Sequence, residues 1–276
     1  MSDREYEQGT ATFEKSGFIG TITLRRREKK NALNYDLWLS LADTIKEASM
    51  DEDVRVVVLK GEGNSFCTGL DLNPDNKVID ELSKGRSAKQ KVRLFNLIKM
   101  IQSIHTELEL LRVPVIAAIQ GHCLGAGLEL ACSCDMRYCS TDAIFSLPEA
   151  KFAIITDVGG LQRLPRIIGR GKAREMAFRG YSIGAEEAYR IGLVNEVYKT
   201  PEVLFEKVYK IAEEIAGNPP LAVQGAKEVF LHGEDLSVME SLEYNAARSA
   251  MILPSEDLLE SFNAYLEKRK PEFKGN

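Results

Sequence analysis

The chain has 276 residues, 44% of them hydrophobic, with 28% charged residues and a formal net charge of −5. That is enough apolar sequence for a sizeable core, in one large domain or a domain with an appendage. No apolar run reaches the 18 or so residues of a membrane span, and the acidic balance argues against nucleic acid as the main partner.

Ala11 to Phe13 and Phe18 to Leu24 read as a hairpin with Ser16-Gly17 at the turn. The basic run RRREKK at 25–30 could bind RNA or a phosphorylated ligand, or be a solvated loop. Asn34 has the chemistry of an N-cap for a helix carrying Leu37, Leu41, Ile45 and Ala48. VRVVVL at 54–59 is a buried strand by its β-branched content. Gly61, Gly63 and Gly69 mark a loop, and the polar stretch 72–87 is a surface loop or a lid. A helix follows over Ala88–Leu111, ended by Pro114, and a strand over Val113–Ile119. Beyond it lie a glycine turn, a small-residue helix with Glu129, two short helices over 158–180, a short helix over Glu186–Ile191 and a strand over Leu193–Val197. From Pro201 onward the pattern is helical. The expected division is an α/β part over 1–198 and a helical region over 199–276.

Five cysteines are present, four of them between 123 and 139, with no C-x-x-C pair and only His122 nearby. Small buried thiols are the expected reading, with no metal site. Reduced thiols and an acidic, polar N-terminus suggest a cytoplasmic protein. The ending FKGN is not a peroxisomal tripeptide.

The chemistry concentrates between Pro114 and Asp157. A strand that ends in a glycine turn and starts a helix aims free backbone N–H groups at one point, suited to a phosphate or a developing oxyanion. GHCLGAG at 121–127 does not match G-x-G-x-x-G, and a carboxylate at 129 would crowd a pyrophosphate. Glu129 and Asp157 lie in apolar settings and Glu149 between them; desolvated carboxyls make effective acids and bases near neutrality. None of the three histidines has an evident catalytic setting, so proton transfer beside an oxyanion hole is the simplest chemistry.

Six stretches carry a resemblance: KNALN (30–34), SFCTGLDL (65–72), PVIAAIQGHCLGAGLELACSCDMRY (114–138), PEAKFAIITDVGGLQRLPRIIG (148–169), AYRIGLVNEV (188–197) and LEKRKPEF (266–273). Together they resemble the crotonase superfamily of acyl-CoA enzymes along almost the whole chain. The resemblance implies an α/β spiral of ββα turns with a C-terminal helical region that trimerises, as trimer or hexamer. It implies an acyl-CoA thioester substrate and no cofactor beyond the coenzyme A of that substrate. It assigns the oxyanion hole to the N–H groups of Leu70 and Ala126. It assigns substrate or CoA binding to Arg26, Lys29, Ala32, Thr68, Gly69, Asp71 and Gly125, with Lys268, Arg269 and Lys270 as further candidates near phosphate. Glu129 and Glu149 match the pair of 2-enoyl-CoA hydratases, where glycine is usual at 157. Glu149, Asp157 and DVGGLQRLPRIIG resemble Δ3,5-Δ2,4-dienoyl-CoA isomerases, which carry aspartate where this chain has Glu129. The expected function is dienoyl-CoA isomerisation within fatty-acid β-oxidation, with hydration as the alternative. A catalytically silent or RNA-binding protein is the reading from another class.

Overall fold

A computed structural model describes residues 10–84 and 87–276. The hairpin joins β1 (Thr10–Ser16) to β2 (Ile19–Arg25), with Phe13 opposite Ile22. A 3-10 turn, Arg27–Lys29, leads into α1 (Tyr35–Met50), whose N-cap Asn34 accepts the Leu37 N–H at 2.9 Å. β3 (Val56–Gly61) returns parallel to β2. Then come α2 (Lys77–Ser83), α3 (Ala88–Glu109), β4 (Val115–Ile119), β5 (His122–Leu124) and α4 (Ala126–Cys132). β6 (Met136–Ser140), β7 (Ile144–Ser146), a 3-10 turn at Glu149–Phe152, α5 (Gly160–Ile168) and α6 (Arg170–Arg179) follow. The chain continues through β8 (Ser182–Gly184), α7 (Ala185–Arg190) and β9 (Glu196–Tyr198) to four helices. These are α8 (Pro201–Ala216), α9 (Pro220–Gly233), α10 (Val238–Ile252) and α11 (Glu256–Glu267).

The main sheet has the order β1-β2-β3-β4-β6-β9, parallel from β2 onward. A second ribbon, β5-β7-β8, stands beside it. Single-pair bridges extend that ribbon from Cys123 to Cys67 and from Leu70 to Leu33. Each main-sheet strand from β2 to β6 is thus followed by a short piece in or bridged to the second ribbon, which is the ββα spiral. Both faces of the main sheet are covered, so β3 reads as a continuous apolar run. Val57 and Leu59 join the large core with α1 and α3, while Val56 and Val58 meet Leu204, Val208 and Ala212 of α8. Each such fully buried leucine or valine contributes about 1.5–3 kcal/mol.

Several elements differ from the sequence expectations. The stretch 72–87 contains α2, capped by Asn76. The last strand of the main sheet lies at 196–198, not 193–197. Interior strand β6 is not apparent in the sequence, because its MRYCS carries a buried arginine. All five cysteines are free and buried, as small core thiols. Among the described residues no helix is long and apolar enough to cross a membrane.

Candidate active site

The stitching of the second ribbon builds one half of the site. Leu33 N–H donates to Gly69 O at 2.7 Å and Asp71 N–H to Leu33 O at 3.0 Å. The Leu70 N–H lies outside that ladder. On the other side Cys67 N–H donates to His122 O and Leu124 N–H to Cys67 O, both at 2.9 Å. The 67–71 segment is therefore fixed against the entry to α4. A methyl on Gly69 would lie only 2.7 Å from Leu124 O and 3.4 Å from Ala126 N, so the close approach requires glycine. Ala126 opens α4, where the first N–H groups have no intrahelical acceptor. It is not among the residues with positive φ, so alanine is unstrained there.

A cavity of about 320 Å³ opens at this junction. Its polar end holds Thr68, Gly69, Leu70, Gly125, Ala126, Glu129, Glu149 and Asp157. Its apolar walls come from Trp38, from Val78 and Leu82 of α2, from Leu94, Leu97, Ile98 and Ile101 of α3, and from Phe152 and Ile154. A narrow apolar cleft ending in a few convergent polar groups suits a small organic ligand.

The three carboxylates meet in this cavity, each in its own setting. Glu129 is 2% exposed, and its Oε2 accepts the Gly160 N–H at 2.6 Å and the Val158 N–H at 3.1 Å. Burial pushes its carboxyl up to about 8; the Gly160 N–H opposes this, and the charges of Glu149 and Asp157 add to it. Glu149 is half-buried, and its Oε2 accepts the Thr156 hydroxyl at 3.1 Å. Burial raises its pKa; the Thr156 hydroxyl pulls the other way, and the charge of Asp157 adds to the rise. Asp157 is also half-buried and raised by burial. Its carbonyl accepts Gln102 Nε2 at 2.6 Å.

Of the residues expected to bind CoA, Thr68, Gly69 and Gly125 lie in the cavity. Arg26 and Asp71 do not. They form a buried ion pair at 2.9 Å, and Arg26 also donates to Ala32 O at 2.6 Å. With Arg26 4% exposed, the pair braces two loops and its guanidinium is not available to a ligand. Lys29 is exposed on the 3-10 turn and Ala32 half-buried in the loop beyond it, neither in the cavity lining. Arg269 is engaged by Glu260 and Glu267 at the end of α11.

A family model described as enoyl-CoA hydratase/isomerase matches residues 14–276. The chain belongs to the enoyl-CoA hydratase/isomerase family. It is 40% identical to the peroxisomal Δ(3,5)-Δ(2,4)-dienoyl-CoA isomerase of Arabidopsis thaliana, over 91% of each chain. It is 36% identical to the mitochondrial protein of that name in Mus musculus, over 98% of this chain and 82% of that one. Its fold is similar to the crystal structure of an enoyl-CoA hydratase from Bacillus anthracis, with TM-score 0.87, 34% identity and coverage of 97% and 100%. Enzymes of this family act on acyl-CoA thioesters, which fits an apolar cleft lined also by Leu70, Ala126 and three carboxylates.

Sequence reasoning missed the groups that hold the carboxylates. Gln102, Thr156 and the N–H groups of Val158 and Gly160 are ordinary in sequence. The one signal was the glycine pair after Asp157: a methyl on Gly160 would sit 2.7 Å from Glu129 Cγ.

Proposed function

We propose that this family member is an isomerase that converts 3,5-dienoyl-CoA into 2,4-dienoyl-CoA. The carrying observation is that Asp157 shares the cavity with Glu149 while Glu129 is committed to holding the turn after Asp157. In this reading the thioester oxygen accepts the N–H groups of Leu70 and Ala126. Asp157 removes a proton from C2, the electrons move into the thioester as an enolate, and Glu149 delivers a proton to C6. The double bonds then lie at C2 and C4. Donors aimed at the enolate oxygen are each worth about 3–4 kcal/mol in such sites. A third carboxylate without a task of its own would hinder hydration by like-charge coupling. The relatives named as dienoyl-CoA isomerases support the isomerase reading.

A second reading is 2-enoyl-CoA hydration by Glu129 and Glu149 around one water. It is favoured by their presence in one cavity and by the glutamate at 129. The test offers purified protein both 3,5-dienoyl-CoA and 2-enoyl-CoA. The isomerase reading expects diene shift, reduced about 10²–10⁴-fold in Asp157→Asn. Robust hydration without diene shift, indifferent to Asp157→Asn, overturns it.

The proposal extends to β-oxidation as the setting, with no cofactor other than substrate CoA, and to a homotrimer or hexamer. Exposed Phe230, Val238, Met239, Phe262 and Leu266 on α9–α11 support self-association; light scattering on the purified protein tests it. A cytoplasmic location is also proposed, in contrast to the relatives named above, whose names place them in peroxisome and mitochondrion. Cell fractionation tests that.

A further inference from the structure

We propose that Gln102 is a positioning residue for Asp157, fixing the backbone that presents this carboxylate; the idea rests on Asp157 acting as the base. Asp157 lies in neither helix nor strand, so its direction depends on what holds its peptide units. Glu129 holds the Asp157–Val158 peptide unit from its N–H side, through Val158, and the turn beyond through the Gly160 N–H. The carbonyl side of that planar unit needs a second anchor to fix its tilt. Gln102 Nε2 supplies that anchor at 2.6 Å. The amide is itself oriented, because Lys99 Nζ donates to Gln102 Oε1 at 3.0 Å, leaving the NH₂ end for Asp157.

The anchor belongs to a stripe on α3. Gln102, Thr106 and Glu109 follow the helical repeat, and all three bond to residues between 157 and 163. Arg163 makes a two-pronged pair with Glu109, at 2.9 and 2.6 Å, and its Nη2 donates to Thr106 Oγ1 at 3.3 Å. The neighbouring stripe, Leu94, Leu97, Ile98 and Ile101, lines the cavity. One helix thus supplies part of the apolar wall and holds the backbone that bears the carboxylate beside it. A misplacement of about 1 Å in such a group costs about 100-fold in rate.

The titratable and charged groups on the elements around Asp157 include Glu129 on α4, Glu149 and Lys151 in the 3-10 turn, Lys99, His105, Glu107 and Glu109 on α3, and Arg163 and Arg166 on α5. Of these only Lys99 loses a contact when Gln102 is replaced, its bond to Oε1 at 3.0 Å. The change at Asp157 is one of burial. A released turn lets water reach Asp157, and its carboxyl moves back down toward its ordinary value.

The test uses the full-length protein, with Gln102→Leu and Gln102→Met removing the donor at similar volume. Glu109→Gln weakens the adjacent α3–α5 tie and leaves Gln102 in place. For each, the Asp157 carboxyl is titrated by ¹³C NMR, assigned with Asp157→Asn, and kcat and KM are measured on 3,5-dienoyl-CoA. Expected in either Gln102 variant is an Asp157 titration displaced to lower pH, with kcat down about 10–100-fold and KM within about twofold. Glu109→Gln lowers the melting temperature and leaves the titration in place. An unmoved titration in both Gln102 variants, or an equal displacement in Glu109→Gln, overturns the proposal. Should wild-type protein turn over no diene, the reading of Asp157 as base fails separately. The titration still decides whether Gln102 governs that carboxyl.

Discussion

Gly160 and Glu129 are locked together: the Gly160 N–H donates to Glu129 Oε2 at 2.6 Å, and there is no room on Gly160 for a methyl group. Glu129 is therefore both a buried acid and the peg for the turn that bears Asp157. In the unfolded chain its carboxyl ionises near 4.5, whereas in the fold it keeps its proton up to about 8. Between those values the folded state binds the extra proton, so stability declines as pH rises through the window and levels off above it. Each pKa unit is worth about 1.4 kcal/mol, so the decline amounts to a few kcal/mol at most. Glu129→Gln keeps an oxygen for the two N–H groups and has no charge to bury. Its melting temperature is expected to fall less than that of wild type between pH 5 and pH 8. Parallel melting curves across that range would count against Glu129 as the buried acid.

Glu149 depends on a glycine in a similar way. Gly125 has φ +52° and ψ −126°, and a methyl there would lie 2.6 Å from Glu149 Oε1. Gly125→Ala both strains the backbone, by about 1–3 kcal/mol, and pushes the carboxylate aside. We expect kcat reduced about 100-fold or more together with a melting temperature lowered by several degrees. Steady-state kinetics and calorimetry on the same preparation check both. A stable variant with wild-type kcat would show that Glu149 does not need its present place.

How far the sequence revealed this site varies residue by residue. Glu129, Glu149, Asp157, Leu70 and Ala126 were legible because they sit in or beside long motifs with glycines that force close backbone approach. Arg26 and Asp71 were misread because a charge beside a motif looks the same whether it faces ligand or partner. Their mutual ion pair joins residues far apart in the chain, and no local pattern records it. β6 was hidden for a related reason. Arg137 is 8% exposed within it, and its guanidinium donates to the carbonyls of Leu193, Ala131 and Cys134. A buried arginine satisfied by backbone carbonyls breaks the apolar pattern that marks a strand. α2 was missed because a short amphipathic turn in polar sequence carries too little periodicity to read.

The attachment of α9 to the core gives a stability prediction remote from the cavity. Lys227 Nζ donates to Val113 O at 2.9 Å and to Asp135 Oδ2 at 2.8 Å, and the same Oδ2 accepts the Val115 N–H. Lys227→Met strands the Val113 carbonyl and leaves Asp135 with less compensation. Breaking a buried pair typically costs 3–5 kcal/mol, and the partial exposure of Asp135 reduces this to about 2–3 kcal/mol. Urea unfolding measures it. The double variant with Asp135→Asn is expected to recover part of the loss, because the charge no longer needs a partner. Strictly additive losses would show that the two side chains do not act as a pair.

Thr156 offers a test of which carboxyl must be protonated. If Asp157 is the base it must be ionised, and kcat rises as pH passes its pKa. If Glu149 is the acid it must hold its proton, and kcat falls as pH passes its own. Burial raises both, so both limbs of the bell are expected above the ordinary carboxylate range. The limbs belong to the interacting pair rather than to isolated groups. Thr156 Oγ1 donates to Glu149 Oε2 and favours its ionised form. Thr156→Val removes that donor, so Glu149 holds its proton to higher pH. The alkaline limb should move up and the acid limb stay within a few tenths of a pH unit. A pH series of kcat on 3,5-dienoyl-CoA reads both limbs at once. Movement of the acid limb alone would reverse the two roles, making Glu149 the base and Asp157 the acid.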